Sequence, residues 1–214
     1  IGRTPVEFQV GIDALAVTVS AENDFVTDVT LEELAAIFST ATNWSDVRPE
    51  WPAEPIQRFS PGTDSGTFDY FVEAVMTPAN GDDAALGEAA ILESVGTQFS
   101  EDDNVLVQGV EGSPYAIGYF GYAYFQENQG GLKALSINGV EPNAETAESG
   151  EYPLSRPLFI YSDAAIMQEK PQVAAFIWFY LNNVNKEILD VGYFPVSEGK
   201  TQENIDAWNS ALGL

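Results

Sequence analysis

Apolar residues switch repeatedly between two periods along this chain, and that switching confines it to an α/β architecture. Alternation and β-branched content place strands near 6–10, 14–19, 55–60, 116–120, 132–137 and 157–161. Helical spacing fills the intervals. Thr30-Leu-Glu-Glu33 is a capping box, and it opens a helix with Leu31, Leu34, Ala35 and Phe38 on one face. Phe68, Phe71, Val72, Val75 and Met76 recur every three to four positions, so 66–77 reads as a helix halted near Pro78. Pro171 suits the first turn of a helix over 171–184, with Val173, Phe176, Ile177, Tyr180, Leu181 and Val184 as its inward stripe. A last helix is expected over 201–212. The stretches 78–83 and 138–152 read as loops.

Two missing residue types remove whole classes of chemistry. With no Cys there is no thiol catalysis, no disulfide and no thiolate-bound zinc. With no His, a Ser–His–Asp hydrolase and a His-ligated metal site are both excluded. Carboxylate and Lys acid–base chemistry survives, which leaves a phosphatase-like hydrolase as the rival reading from a different class. Acidic residues number 33 against eight Lys and Arg, a net charge of −25, so nucleic acid is not an expected partner. Glu101-Asp102-Asp103 lacks the spaced D-x-D-x-D-G pattern of a calcium loop and reads as the acidic start of a helix. The longest apolar stretches, such as 173–181, fall short of the ~18–20 residues of a bilayer span, so this segment is not expected to insert in a membrane.

The segment Arg58-Phe-Ser-Pro-Gly-Thr-Asp-Ser-Gly-Thr67 lies between a strand and an amphipathic helix. Such a junction aims free backbone N–H groups and the positive end of the helix dipole at whatever fills the loop. Ser65 and Thr67 add hydroxyl donors, and Gly66 admits close backbone approach. Asp64 is the discordant member. A carboxylate about 4 Å from an anion costs roughly 4 kcal/mol per charge pair at an effective dielectric near 20. It fits only if Arg58 or another cation neutralises it, or if it accepts a proton carried by the ligand, as monohydrogen phosphate provides. The plain alternative is a helix N-cap that binds nothing. The overall negative charge does not forbid anion binding, because a Debye length near 8 Å screens distant acids while loop donors act at contact.

Several blocks occur in order along the chain: Gly11-Ile-Asp-Ala-Leu-Ala-Val17, Asn43-Trp-Ser-Asp46, Pro61-Gly-Thr-Asp-Ser-Gly-Thr-Phe-Asp-Tyr-Phe71, Ser100-Glu-Asp-Asp-Asn104, Ile117-Gly-Tyr-Phe-Gly-Tyr-Ala-Tyr124, Pro153-Leu-Ser-Arg-Pro-Leu158 and Val191-Gly-Tyr-Phe-Pro195. With them the chain resembles the phosphate-binding proteins of ABC phosphate importers. That resemblance implies a type II periplasmic-binding-protein fold with two lobes and a cleft, a periplasmic or cell-surface location, inorganic phosphate as ligand and a membrane permease as partner. By that match Ser65, Gly66 and Thr67 donate hydrogen bonds to phosphate, with no cofactor and a monomeric state; Asp64 joins them if its charge is neutralised or takes the ligand's proton, and Arg58 is a further candidate ligand reaching around the loop. A related receptor for another tetrahedral oxyanion, or a sensing or adhesive role on the same fold, stays open. Many family members carry an arginine four residues before the Ser of this motif, where this chain has Pro61. The family's first Ser/Thr-rich strand–loop–helix has no counterpart here, so the first lobe is expected to be incomplete: residues 1–16 and 153–214 from one lobe, 17–152 from the other. Trp44, Trp51, Trp178, Trp208 and the aromatic run 119–125 are expected to pack rather than cage a ligand. Arg156 is expected to be a buried structural arginine near the hinge.

Overall fold

A computed structural model describes residues 5–214. Its central element is β1, Pro5–Ser20, sixteen residues that are buried almost throughout from Val10 onward. The two strands expected at 6–10 and 14–19 are this one strand, which serves two sets of partners in succession. Pro5 to Ala14 pairs antiparallel with β8 (Ser155–Asp163), whereas Leu15 to Val19 pairs antiparallel with β5 (Ala116–Gly121). Thr18 to Ser20 also pairs with β6 (Leu132–Ala134). A register shift between Gln9 and Gly11 marks the break that period counting reads as a gap. Gly11 has no room for a side chain, since a Cβ there would lie 2.4 Å from Ile188 Cδ1.

Beyond β5 the sheet continues through β3 (Gln57–Pro61) to the edge strand β4 (Thr97–Ser100), both in parallel pairings. β4 escaped the sequence reading because its Thr-Gln-Phe-Ser carries no apolar alternation. The run expected at 132–137 is divided. Leu135 donates its N–H to Val17 and Ser136 to Thr27, so β7 (Ser136–Ile137) joins β2 (Asp28–Val29) in a separate two-stranded sheet.

Helices cover both regions. α1 (Leu31–Ile37) carries the expected capping box, with Thr30 Oγ1 accepting from Glu33 N–H and the Glu33 carboxylate accepting from Thr30 N–H. α2 (Gly66–Phe71) begins a helical run that ends at Ala79, near Pro78 as expected. It passes through a π turn, Val72–Met76, into α3 (Thr77–Ala79), and the wider turn accommodates a proline that has no N–H and crowds the carbonyl four residues back. α4 (Ala84–Leu92) and α5 (Asp103–Glu111) follow, the latter capped by the Asp102 carboxylate accepting from Asn104 N–H. The expected loop 138–152 holds a short helix, α7 (Ala144–Glu148), after α6 (Tyr122–Glu127). α8 (Ala164–Glu169), α9 (Pro171–Glu187) and α10 (Glu198–Leu212) pack on β1 and β8. On α9 the inward stripe is Ala174, Ile177 and Leu181, while Phe176, expected inside, is 60% exposed. Trp44 and Trp51 are buried, and Trp178 packs at a tilt against Trp208 at the surface with centroids 4.8 Å apart. No helix among the described residues is long and apolar enough to cross a membrane.

Candidate functional site

The loop 62–65 leaves β3 and turns directly into α2. Its path is set by backbone bonds from Gly62 N–H to Ser100 and from Ser65 N–H to Gly62. Ser65 has the extended backbone of an N-cap, and its Oγ accepts from Thr67 N–H at 3.2 Å. The N–H groups of Gly66 and Phe68 receive no hydrogen-bond acceptor among the described residues. A Cβ added to Gly66 would meet nothing within 4 Å, so the backbone there is open to an approaching group. Below the loop, α2 is held by Phe71, which stacks on Tyr119 at 3.9 Å, and Tyr119 in turn shares a buried hydrogen bond with Ser60 on β3. Strand and helix on either side of the loop are therefore packed against a common residue, Tyr119.

Asp64 is exposed, and no cation pairs with it among the described residues. Its backbone contacts an acid. The Glu101 carboxylate accepts from Asp64 N–H at 3.4 Å and fills the space beside Gly62. Sequence reasoning placed Glu101 at a helix start and missed this contact, which depends on β4 lying beside β3.

Arg58 requires a correction. It is 1% exposed, and its guanidinium donates to the carbonyls of Ile37, Ala41 and Val95 rather than to the loop. Burial pulls its pKa down to about 10, which leaves it charged at neutral pH. Its donors tie α1 to the end of α4, and none faces the loop.

Arg156 departs from expectation in the other direction. Its side chain is 38% exposed, its Nε lies 3.1 Å from Asp13 Oδ2, and its Cζ sits 4.4 Å above the ring of Tyr70 on α2. Asp13 and Arg156 face each other across β1 and β8, one residue before β1 changes partners.

A family model described as the PBP superfamily domain matches residues 2–184. The chain belongs to the PBP superfamily. Among PBP-superfamily structures, it is similar to that of a possible phosphate binding protein from Planctomyces limnophilus, with a TM-score of 0.82 and 42% identity over 99% of this chain and 74% of that one. Protein SphX from Synechocystis sp. is 44% identical over 203 residues, 90% of this chain and 57% of its own length. The phosphate-binding protein PstS of Staphylococcus saprophyticus is 34% identical over 213 residues, covering 97% and 62%. The chain thus spans about three fifths of the length of these curated relatives.

Proposed function

We propose that this chain carries the phosphate-gripping part of an extracytoplasmic receptor that delivers inorganic phosphate to an ABC permease. The observation that carries the reading is the open N-terminal turn of α2, where the N–H groups of Gly66 and Phe68 are without an acceptor among the described residues and nothing crowds Gly66. Relatives named as phosphate-binding proteins share the fold and most of the chain. In this reading the protein binds and releases rather than converts, and Asp64 accepts the proton of monohydrogen phosphate. Sulfate has no such proton, and a site built for a ligand O–H rejects an analogue lacking it by roughly 10⁴–10⁵.

Residues 17–152 form one lobe in this reading, and 1–16 with 153–214 belong to the other; residues 1–4 lie outside the described part. Three charge-assisted bonds and a helix dipole supply on the order of 6–10 kcal/mol before association costs of 4 or more. Micromolar affinity needs about 8 kcal/mol net, so the 214-residue chain is expected to bind phosphate weakly. Calorimetric titration with phosphate, sulfate and molybdate tests this. Binding confined to phosphate is expected, and equal binding of sulfate, or no phosphate binding at millimolar concentration, overturns it.

A further inference from the structure

The loop 61–67 contains no cation, and most described cations are engaged elsewhere. Arg58 and Lys133 donate to backbone carbonyls, and Arg48, Lys186 and Lys200 are engaged by surface side chains. Arg156 differs. Asp13 occupies its Nε edge and the Tyr70 ring covers one face, while its two terminal nitrogens make no hydrogen bond among the described residues. The Tyr70 hydroxyl is likewise without a hydrogen-bond partner among them, its oxygen reaching solvent while the residue as a whole is buried. Tyr70 lies four residues beyond Gly66, about 6 Å along the helix axis. At i and i+4 the two residues lie on the same side of the helix.

We propose that Arg156 and Tyr70 form a second donor wall for the oxyanion, taking the place of the arginine that the loop lacks. This rests on the phosphate-binding reading above. Asp13 and the Tyr70 ring hold the guanidinium plane in place, which leaves a planar fork free to meet two oxygens of one anion. Tyr70 presents its proton over the whole neutral range, since burial pushes its pKa up to about 12. Arg156 sits on β8 opposite Asp13, close to the point where β1 passes from β8 to β5, so an anion bridging it to Ser65–Thr67 ties the strands of that junction to α2.

The test is titration of inorganic phosphate into the unaltered chain and into Arg156→Gln, Arg156→Lys and Tyr70→Phe. Arg156→Gln is expected to weaken binding about tenfold or more, and Arg156→Lys less, because an ammonium keeps the charge without the fork. Tyr70→Phe keeps the ring beneath Arg156 and is expected to weaken binding about threefold or more. If the unaltered chain binds phosphate and both Arg156→Gln and Tyr70→Phe bind it equally well, this inference fails and the phosphate reading stands. If the unaltered chain binds none, the reading fails and the inference falls with it. Should Arg156→Gln not fold, the guanidinium resonances of Arg156 in the unaltered chain decide: a shift on adding phosphate supports the proposal, and no shift during saturable binding overturns it.

Discussion

The backbone N–H of Asp64 points at the carboxylate of Glu101, 3.4 Å from its Oε1. An acid of the protein thus takes up a donor at the edge of the loop proposed to hold an anion. Its partner is exposed, so the contact is weak and sensitive to salt.

Replacing Glu101 with Gln removes that competing charge. Phosphate affinity is expected to rise about two- to fivefold at low ionic strength, with the gain shrinking as salt is added. Calorimetry at two salt concentrations measures it, and an unchanged affinity at low salt would refute the competition.

Ser65 has two roles that different substitutions separate. Ser65→Ala loses the bond from Thr67 N–H and is expected to cost about 1 kcal/mol of stability together with at least about tenfold in phosphate affinity. Asp is as good an N-cap as Ser, and its charge suits a helix start. Ser65→Asp should therefore keep the melting temperature and abolish phosphate binding through repulsion. Wild-type affinity in Ser65→Asp would remove Ser65 from the site.

Arg58 gives the opposite pattern. Arg58→Met strips the donors from three carbonyls at once and is expected to destabilise the fold by about 3–5 kcal/mol in urea unfolding. The fraction still folded should bind phosphate as before. A loss of affinity without loss of stability would restore Arg58 to the binding site.

Stability should fall at both ends of the pH range for identifiable reasons. Burial pushes the Tyr70 phenol to about 12 and raises Tyr119 and Tyr152 as well. Above the ordinary phenol value near 10 the unfolded chain sheds these protons while the folded chain keeps them. The unfolded state then binds fewer protons, and stability declines from about pH 10 upward. At the acid end Glu33 is the clearest contributor. The forked hydrogen bond from Arg48 holds its pKa below the usual value, with Thr30 N–H helping, so its contribution is present above that value and lost as pH falls through the lowered one. Glu33→Gln should flatten the acid limb of a stability–pH curve, and Tyr70→Phe should soften the alkaline limb.

Much of the fold was legible because it is written locally. The Thr30–Glu33 capping box, Pro171 at a helix start and the acidic cap before α5 each satisfy backbone groups within three or four residues, so spacing alone reveals them. The same holds for the junction of β3 and α2, where a strand pattern meets a helical one at Ser65. Reading failed where a neighbour distant in sequence set the outcome. The two strands expected at 6–10 and 14–19 are one strand because β8 and β5 pair with it in turn, and Phe176 faces outward although its spacing suggests otherwise.

The sequence by itself determined the α/β class, the absence of His and Cys chemistry, and a donor-rich turn at the start of α2, since composition and period need no partner. Tertiary structure alone decided where the charges went. It sent the Arg58 guanidinium to the carbonyls of Ile37, Ala41 and Val95, set Glu101 against the loop, and joined Asp13 to Arg156 across 143 positions of chain. A side chain's charge is local information, but its partner is chosen by the pairing of β1 with β8 and of β3 with β4, and no period in the sequence encodes that pairing.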